Sequence, residues 1–161
     1  RLFFVEVMGR DNGFIALRTG IATGAIAVMT PETEISVDGL VQVLEEGQKN
    51  KKSSSIVIVA EGNSSGGAYI LAKEVKKRTD QYDIRITVLG HLQRGGSPSC
   101  SDRVLASRLG IEAVEALING VTNSMVGVVN DSLVHTPFED AIANKTHTLK
   151  DEVRIARILS I

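Results

Sequence analysis

The chain has one cysteine and a net charge of −1, and each shortage removes a class of function, while its 4% aromatic content leaves an aliphatic interior. Cys100 has no partner for an intrachain disulfide, and no C-x-x-C or Cys/His cluster offers metal-ligand spacing, so no metal site is expected. A reducing compartment, the cytoplasm, is the expected setting. A near-neutral chain lacks the basic field that supplies sequence-independent affinity for nucleic acid, and none is expected as a partner. The longest mainly apolar stretch, residues 20–31, is interrupted by threonines and is too short to span a bilayer, so no membrane anchor is expected. The opening run Arg1-Leu2-Phe3-Phe4-Val5 meets Glu6 and a Met8-Gly9-Arg10 turn too soon for a signal peptide. It reads as a buried strand, and a chain that starts on such a strand without Met reads as a piece of a larger protein.

What the sequence does hold is aliphatic. Hydrophobic residues make up 43% of the 161 positions, and the mean hydropathy is +0.09, which suits a close-packed interior within one domain. Five short Val- and Ile-rich runs, at residues 2–8, 25–30, 55–60, 85–89 and 125–129, have strand length and end at turn signals. Between them, residues 13–23, 37–49, 67–79 and 103–118 have helical spacing. Ser36 is the expected N-cap of the second helix, and Ser101 or Asp102 that of the fourth. Residues 138–143 and 149–159 read as two further helices, and residues 49–55 as a surface turn. The β-α alternation predicts an α/β fold: an open, mainly parallel sheet with helices on both faces, in Rossmann-like layers.

In such sheets ligands sit beyond the carboxyl ends of the strands. Three runs exit conspicuously: into Met8-Gly9-Arg10, into Glu61-Gly62-Asn63, and into Gly90-His91-Leu92-Gln93-Arg94-Gly95-Gly96-Ser97-Pro98. If these exits share one sheet edge, Arg10, Glu61, His91 and Arg94 converge. Arginine offers a planar fork to phosphate oxygens, histidine adds a donor and glutamate accepts from hydroxyls, which together suit a phosphorylated, polyhydroxylated ligand. Taken singly, each is equally a turn glycine, a surface charge or a hydrogen-bonded loop histidine, and it is their coincidence at three strand ends that favours the ligand. The glycine-rich stretch lacks P-loop spacing, no Gly-x-Gly-x-x-Gly follows the first strand, and no histidine has a local Ser or Cys partner in a nucleophile motif. Cys100 reads as a helix-start thiol.

Val5-Glu6-Val7-Met8-Gly9-Arg10 and residues 90–98, followed by Asp102-Arg103, resemble the hallmark segments of the bacterial-type phosphofructokinase family. The likeness runs from Arg1 to Leu133-Val134-His135. It implies the carboxyl-terminal, substrate-binding half of an ATP-dependent 6-phosphofructokinase, a single fructose 6-phosphate-binding domain over residues 1–161. Met8, Gly9 and Arg10 would surround the sugar, with Glu61 on its hydroxyls and His91 and Arg94 near its phosphate. Arg1 and Arg85 match arginines that reach into a neighbouring subunit's site, implying a homo-oligomer, a tetramer in the intact enzyme. Both precede their strands, and a six-residue strand of about 20 Å separates them from the carboxyl-end residues. Gly24 and Lys52 match effector-site positions, but Ile26 replaces a metal-facing carboxylate and Asn50, Ser53 and Ser54 replace parts of a basic cluster, which implies altered allosteric control. The family's ATP and Mg2+ sites and catalytic base would lie outside this chain, leaving Arg10 as a transition-state stabiliser. Two alternatives stay open at this point: a pyrophosphate-dependent enzyme and a non-catalytic sugar-phosphate sensor.

Overall fold

Alternating burial along the first strand defines the two faces of the central sheet. In the computed structural model, which describes residues 1–33, 35–50, 52, 55–143 and 149–159, Leu2 and Phe4 of β1 (Leu2–Val7) are buried in one cluster, and Val5 and Val7 pack into another. The expected turn at Lys51, Ser53 and Ser54 lies outside the described residues, and so do the effector-cluster replacements at the two serines. Strand β3 (Ile56–Ala60) repeats the alternation, with Val57 and Val59 on the first face and Ile58 and Ala60 on the second. A strand that is apolar on both sides belongs inside a parallel sheet with helices on each face. Strands β2 (Ala27–Met29) and β4 (Ile84–Val88) complete the order β2-β3-β1-β4, with every pairing parallel.

Helices α2 (Val37–Lys49) and α3 (Ala68–Arg78) cover the first face through Leu40, Leu44, Leu71 and Val75. The second is covered by α1 (Phe14–Thr23) through Ala16 and Leu17, and by α6 (Lys150–Leu159) through the partly buried Val153 and Ala156. This is the expected α/β architecture. The Ser36 hydroxyl accepts the Gly39 N–H at 3.0 Å, so α2 starts where its N-cap was read. Helix α3 begins on Gly67, which has no side chain to cap it; the carboxylate of Glu6 reaches over from β1 and accepts the Ala68 N–H at 2.7 Å. A negative group there complements the helix dipole and ties the end of β1 to the loop after β3.

The described residues group into two compact units, Arg1–Gly95 with Thr148–Ile161, and Gly96–His147. In the second unit two expectations are corrected. The fifth apolar run becomes β5 (Ser124–Val129), which does not extend the parallel sheet but pairs antiparallel with a strand not foreseen, β6 (Ser132–Pro137). The cause is the turn between them: Asn130 and Asp131 have φ of 50° and 63°, the two positive values of a hairpin turn that reverses the chain at once. The cap of α4 (Cys100–Ile118) is Ser99, not Ser101 or Asp102; its hydroxyl accepts the Asp102 N–H while Asp102 accepts the Ser99 N–H, a reciprocal box that starts the helix earlier. Short α5 (Phe138–Ala143) follows β6.

Two substitutions in the first unit separate core from cap. Leu44→Ala removes a fully buried side chain and is expected to cost about 2–5 kcal/mol, whereas Ser36→Ala should cost about 1 kcal/mol. Urea-unfolding midpoints of the two variants against the parent chain measure both.

Candidate functional site

At the carboxyl end of β1 the chain turns towards α1 on one face, while the neighbouring β3 turns towards α3 on the other. Diverging exits from adjacent parallel strands open a crevice. A pocket of about 350 Å³ lies there, lined by Met8, Gly9 and Arg10 after β1, Ile15 on α1, Glu61 after β3, and Gln93 and Arg94 after β4. The last two stand in a 3₁₀ turn, Gly90–Arg94.

Side chains from both flanking strands hold the β1 exit by its backbone. Glu61 Oε1 accepts the Arg10 N–H at 2.7 Å and the Gly9 N–H at 3.1 Å. On the other side, Gln93 Oε1 accepts the Met8 N–H at 2.8 Å. Three successive amides are thus fixed by two side chains. The turn they fix is strained: Arg10 has φ of 50°, a left-handed conformation that costs an ordinary residue about 1–2 kcal/mol. Gly62 permits the approach from β3, because a Cβ there would stand 1.9 Å from the Arg10 carbonyl oxygen.

The two amide donors, Arg10 first and then Gly9, hold the Glu61 carboxyl below its ordinary range, and the guanidinium groups of Arg10 and Arg94 add to the effect. Glu61 is therefore an anion at neutral pH, with Oε2 outside these backbone bonds. Neither Arg10 nor Arg94 forms an ion pair within 4.0 Å among the described residues. Two available guanidinium forks flanking a carboxylate can hold a phosphate and a hydroxyl of one ligand.

The structure thus brings Met8, Gly9, Arg10, Glu61 and Arg94 to one pocket. His91 is exposed in the same 3₁₀ turn but is not part of the pocket wall. Ile15 and Gln93 line it without having been singled out. Gln93 stood in plain view between His91 and Arg94; its signal was position, one residue from an arginine already chosen, rather than charge. Arg1 precedes β1, whereas Arg85, expected before its strand, is the second residue of β4; both lie against Asp83, with Arg85 Nη2 3.1 Å and Arg1 Nε 3.9 Å from Asp83 Oδ2. Gly24 is the left-handed C-cap of α1, with φ of 62°. Lys52 Nζ donates to the Leu159 carbonyl at the end of α6, and burial lowers its pKa.

Residues 1–117 match the family model described as phosphofructokinase. The chain is 50% identical over its whole length to ATP-dependent 6-phosphofructokinase 2 of Bacteroides thetaiotaomicron, covering 49% of that protein. It is 45% identical to ATP-dependent 6-phosphofructokinase 1 of Thermus thermophilus, again over its whole length and 50% of the relative. The chain therefore spans about half the length of the curated relatives it matches. Among solved structures, phosphofructokinase from Saccharomyces cerevisiae superposes with a TM-score of 0.80 at 31% identity, over 99% of this chain and 22% of that one. The fold, the segments at the three strand ends and a family match over most of the chain agree: this chain belongs to the phosphofructokinase family.

Proposed function

We propose that residues 1–161 are the fructose 6-phosphate-binding portion of an ATP-dependent 6-phosphofructokinase. The observation that carries this reading is the pair of guanidinium groups, Arg10 and Arg94, flanking an ionised Glu61 in one pocket. Arg94, with His91 beside it, would take the sugar phosphate; Glu61 Oε2 would accept from a sugar hydroxyl; Met8, Gly9 and Arg10 would surround the sugar. Phosphoryl transfer is governed by positioning and by stabilisation of spreading negative charge. This chain would hold the acceptor so that its 1-hydroxyl faces the donor, and Arg10 would stabilise charge as the transfer proceeds.

In this reading the ATP and Mg2+ sites and the base that receives the hydroxyl proton belong to the rest of the protein. Among the described residues no group of three or more His, Cys, Asp or Glu is arranged to hold a metal ion. Further polypeptide against the second unit is supported by its exposed apolar side chains, Leu117 at 67% and Ile118 at 78% among them. The relatives' names favour ATP over pyrophosphate as donor. Arg1 and Arg85, exposed and gathered on Asp83 away from the pocket, suit a neighbouring subunit's site in a tetramer. A cytoplasmic setting fits the single exposed thiol. Engagement of Lys52 by the end of α6 supports altered effector control at Gly24 and Lys52; in a full-length enzyme, effector binding that Lys52→Ala abolishes would overturn that part.

Calorimetric titration tests the main reading. Fructose 6-phosphate should bind saturably while fructose and ATP do not, and Arg94→Ala or Glu61→Ala should each weaken binding by roughly tenfold or more, the scale of losing one charge-assisted hydrogen bond. Tight binding of ATP, or no preference for the phosphorylated sugar, would overturn it.

A second expectation concerns acid. Because the folded-state pKa of Glu61 is depressed, its contribution to stability is complete above the unfolded value of about 4.3 and fades as pH falls through the lower folded value. The stability difference between the parent chain and Glu61→Gln should therefore be constant from neutral pH to about 5 and shrink below about 4.3, as read from denaturant midpoints across that range.

A further inference from the structure

We infer that Gln93 is a positioning residue that sets the register between the two arginines of the pocket, an inference that rests on the function proposed above and deepens it. The 3₁₀ turn carrying Arg94 has little else to fix it. Its residues from His91 to Arg94 are all exposed, Leu92 to 70%, so no packing immobilises the turn. Its own backbone bonds are local, from the Leu92 N–H to the Leu89 carbonyl at 3.2 Å and from the Gly95 N–H to the Leu92 carbonyl at 3.3 Å. The last ladder bond between β4 and β1, from the Leu89 N–H to the Glu6 carbonyl, lies before the turn begins. Beyond it, among the described residues, a single hydrogen bond joins the turn to the β1 exit, the 2.8 Å bond that Gln93 Oε1 accepts from the Met8 N–H.

The consequence is geometric. Gln93 immediately precedes Arg94, and Met8 stands two residues before Arg10, so this bond ties together the two backbone segments that carry the guanidinium groups. From the opposite side Glu61 fixes Gly9 and Arg10. A ligand that bridges both arginines needs their spacing set before it arrives, since ordering a loose turn on binding subtracts from affinity. A neutral carboxamide serves this purpose without placing a second carboxylate beside Glu61 and the ligand phosphate.

Backbone amide exchange in the unliganded chain, read by NMR or mass spectrometry, tests the tether without reference to any ligand. Gln93→Met keeps the side-chain length and removes the acceptor, so Met8 exchange should accelerate by roughly tenfold, the loss of one hydrogen bond. Gln93→Glu keeps an acceptor oxygen and should restore the parent rate. The urea midpoint of Gln93→Glu should match the parent's, and that of Gln93→Met should fall by no more than the tenfold factor implies, about 1.4 kcal/mol, because the turn contributes no buried core. In parallel, Gln93→Met should weaken fructose 6-phosphate binding by a similar factor. Unchanged Met8 exchange in Gln93→Met would overturn the tether, and unchanged affinity in a chain whose parent binds the sugar phosphate would overturn its role in positioning. If the parent does not bind fructose 6-phosphate, the functional reading falls, and the exchange rates still decide whether Gln93 holds the turn.

Discussion

An ionised carboxylate that accepts two consecutive backbone N–H groups is the contact on which this pocket depends. Glu61 draws the Gly9 and Arg10 amides to one oxygen, and those donors in turn keep it charged. The bonds compensate for a left-handed backbone at Arg10 that the residue's own preferences oppose. Placing Arg10, orienting Glu61 and attracting Arg94 are therefore one arrangement, not three. Removing the charge at its centre loosens all of it.

The scaffold that delivers this contact is rigid for an unrelated reason. Strands β1 and β3 bury apolar side chains on both faces, each face covered by its own helices and its own apolar cluster, although Phe3 at the amino end of β1 stays 40% exposed. Such a sheet fixes the distance between neighbouring strand ends to that of a hydrogen-bonded ladder, about 4.8 Å, which is why side chains as short as glutamate can reach the adjacent exit. Gly62 refines the fit by letting β3's exit lie against the Arg10 carbonyl. Glu6 adds a brace beneath, joining β1 to the first turn of α3. Shape at the rim thus follows from hydrophobic order in the interior.

How much of this could be read beforehand differed by the range of the interaction involved. Strands and helices of the first unit followed from periodicity, because burial on both faces writes itself into runs of Val and Ile. Ser36 was legible as a cap because its partner is three residues away. The hairpin was not, since it depends on Asn130 and Asp131 both adopting positive φ, and apolar content alone does not distinguish a fifth parallel strand from half of a hairpin. At the site, charge pointed to Arg10, Glu61 and Arg94, and sheet topology brought them to one edge. Gln93 escaped because its contribution is to a backbone amide 85 positions away, and a neutral side chain gives no hint of such a partner. His91 shows the reverse: a conspicuous residue in the right turn that does not line the pocket wall.

The backbone at Arg10 also sets the proposed binding role against stability. Glycine occupies the left-handed region freely, so Arg10→Gly would relieve roughly 1–2 kcal/mol of strain against an entropic loss of about 0.5–1 kcal/mol in the unfolded chain. At this position the residue that suits the backbone best is one that carries no guanidinium. A search for more stable sequences, guided by folding alone, would drift away from the charge that the proposed function assigns to the pocket. The strain at Arg10 is the cost that the binding role proposed for its guanidinium has to offset.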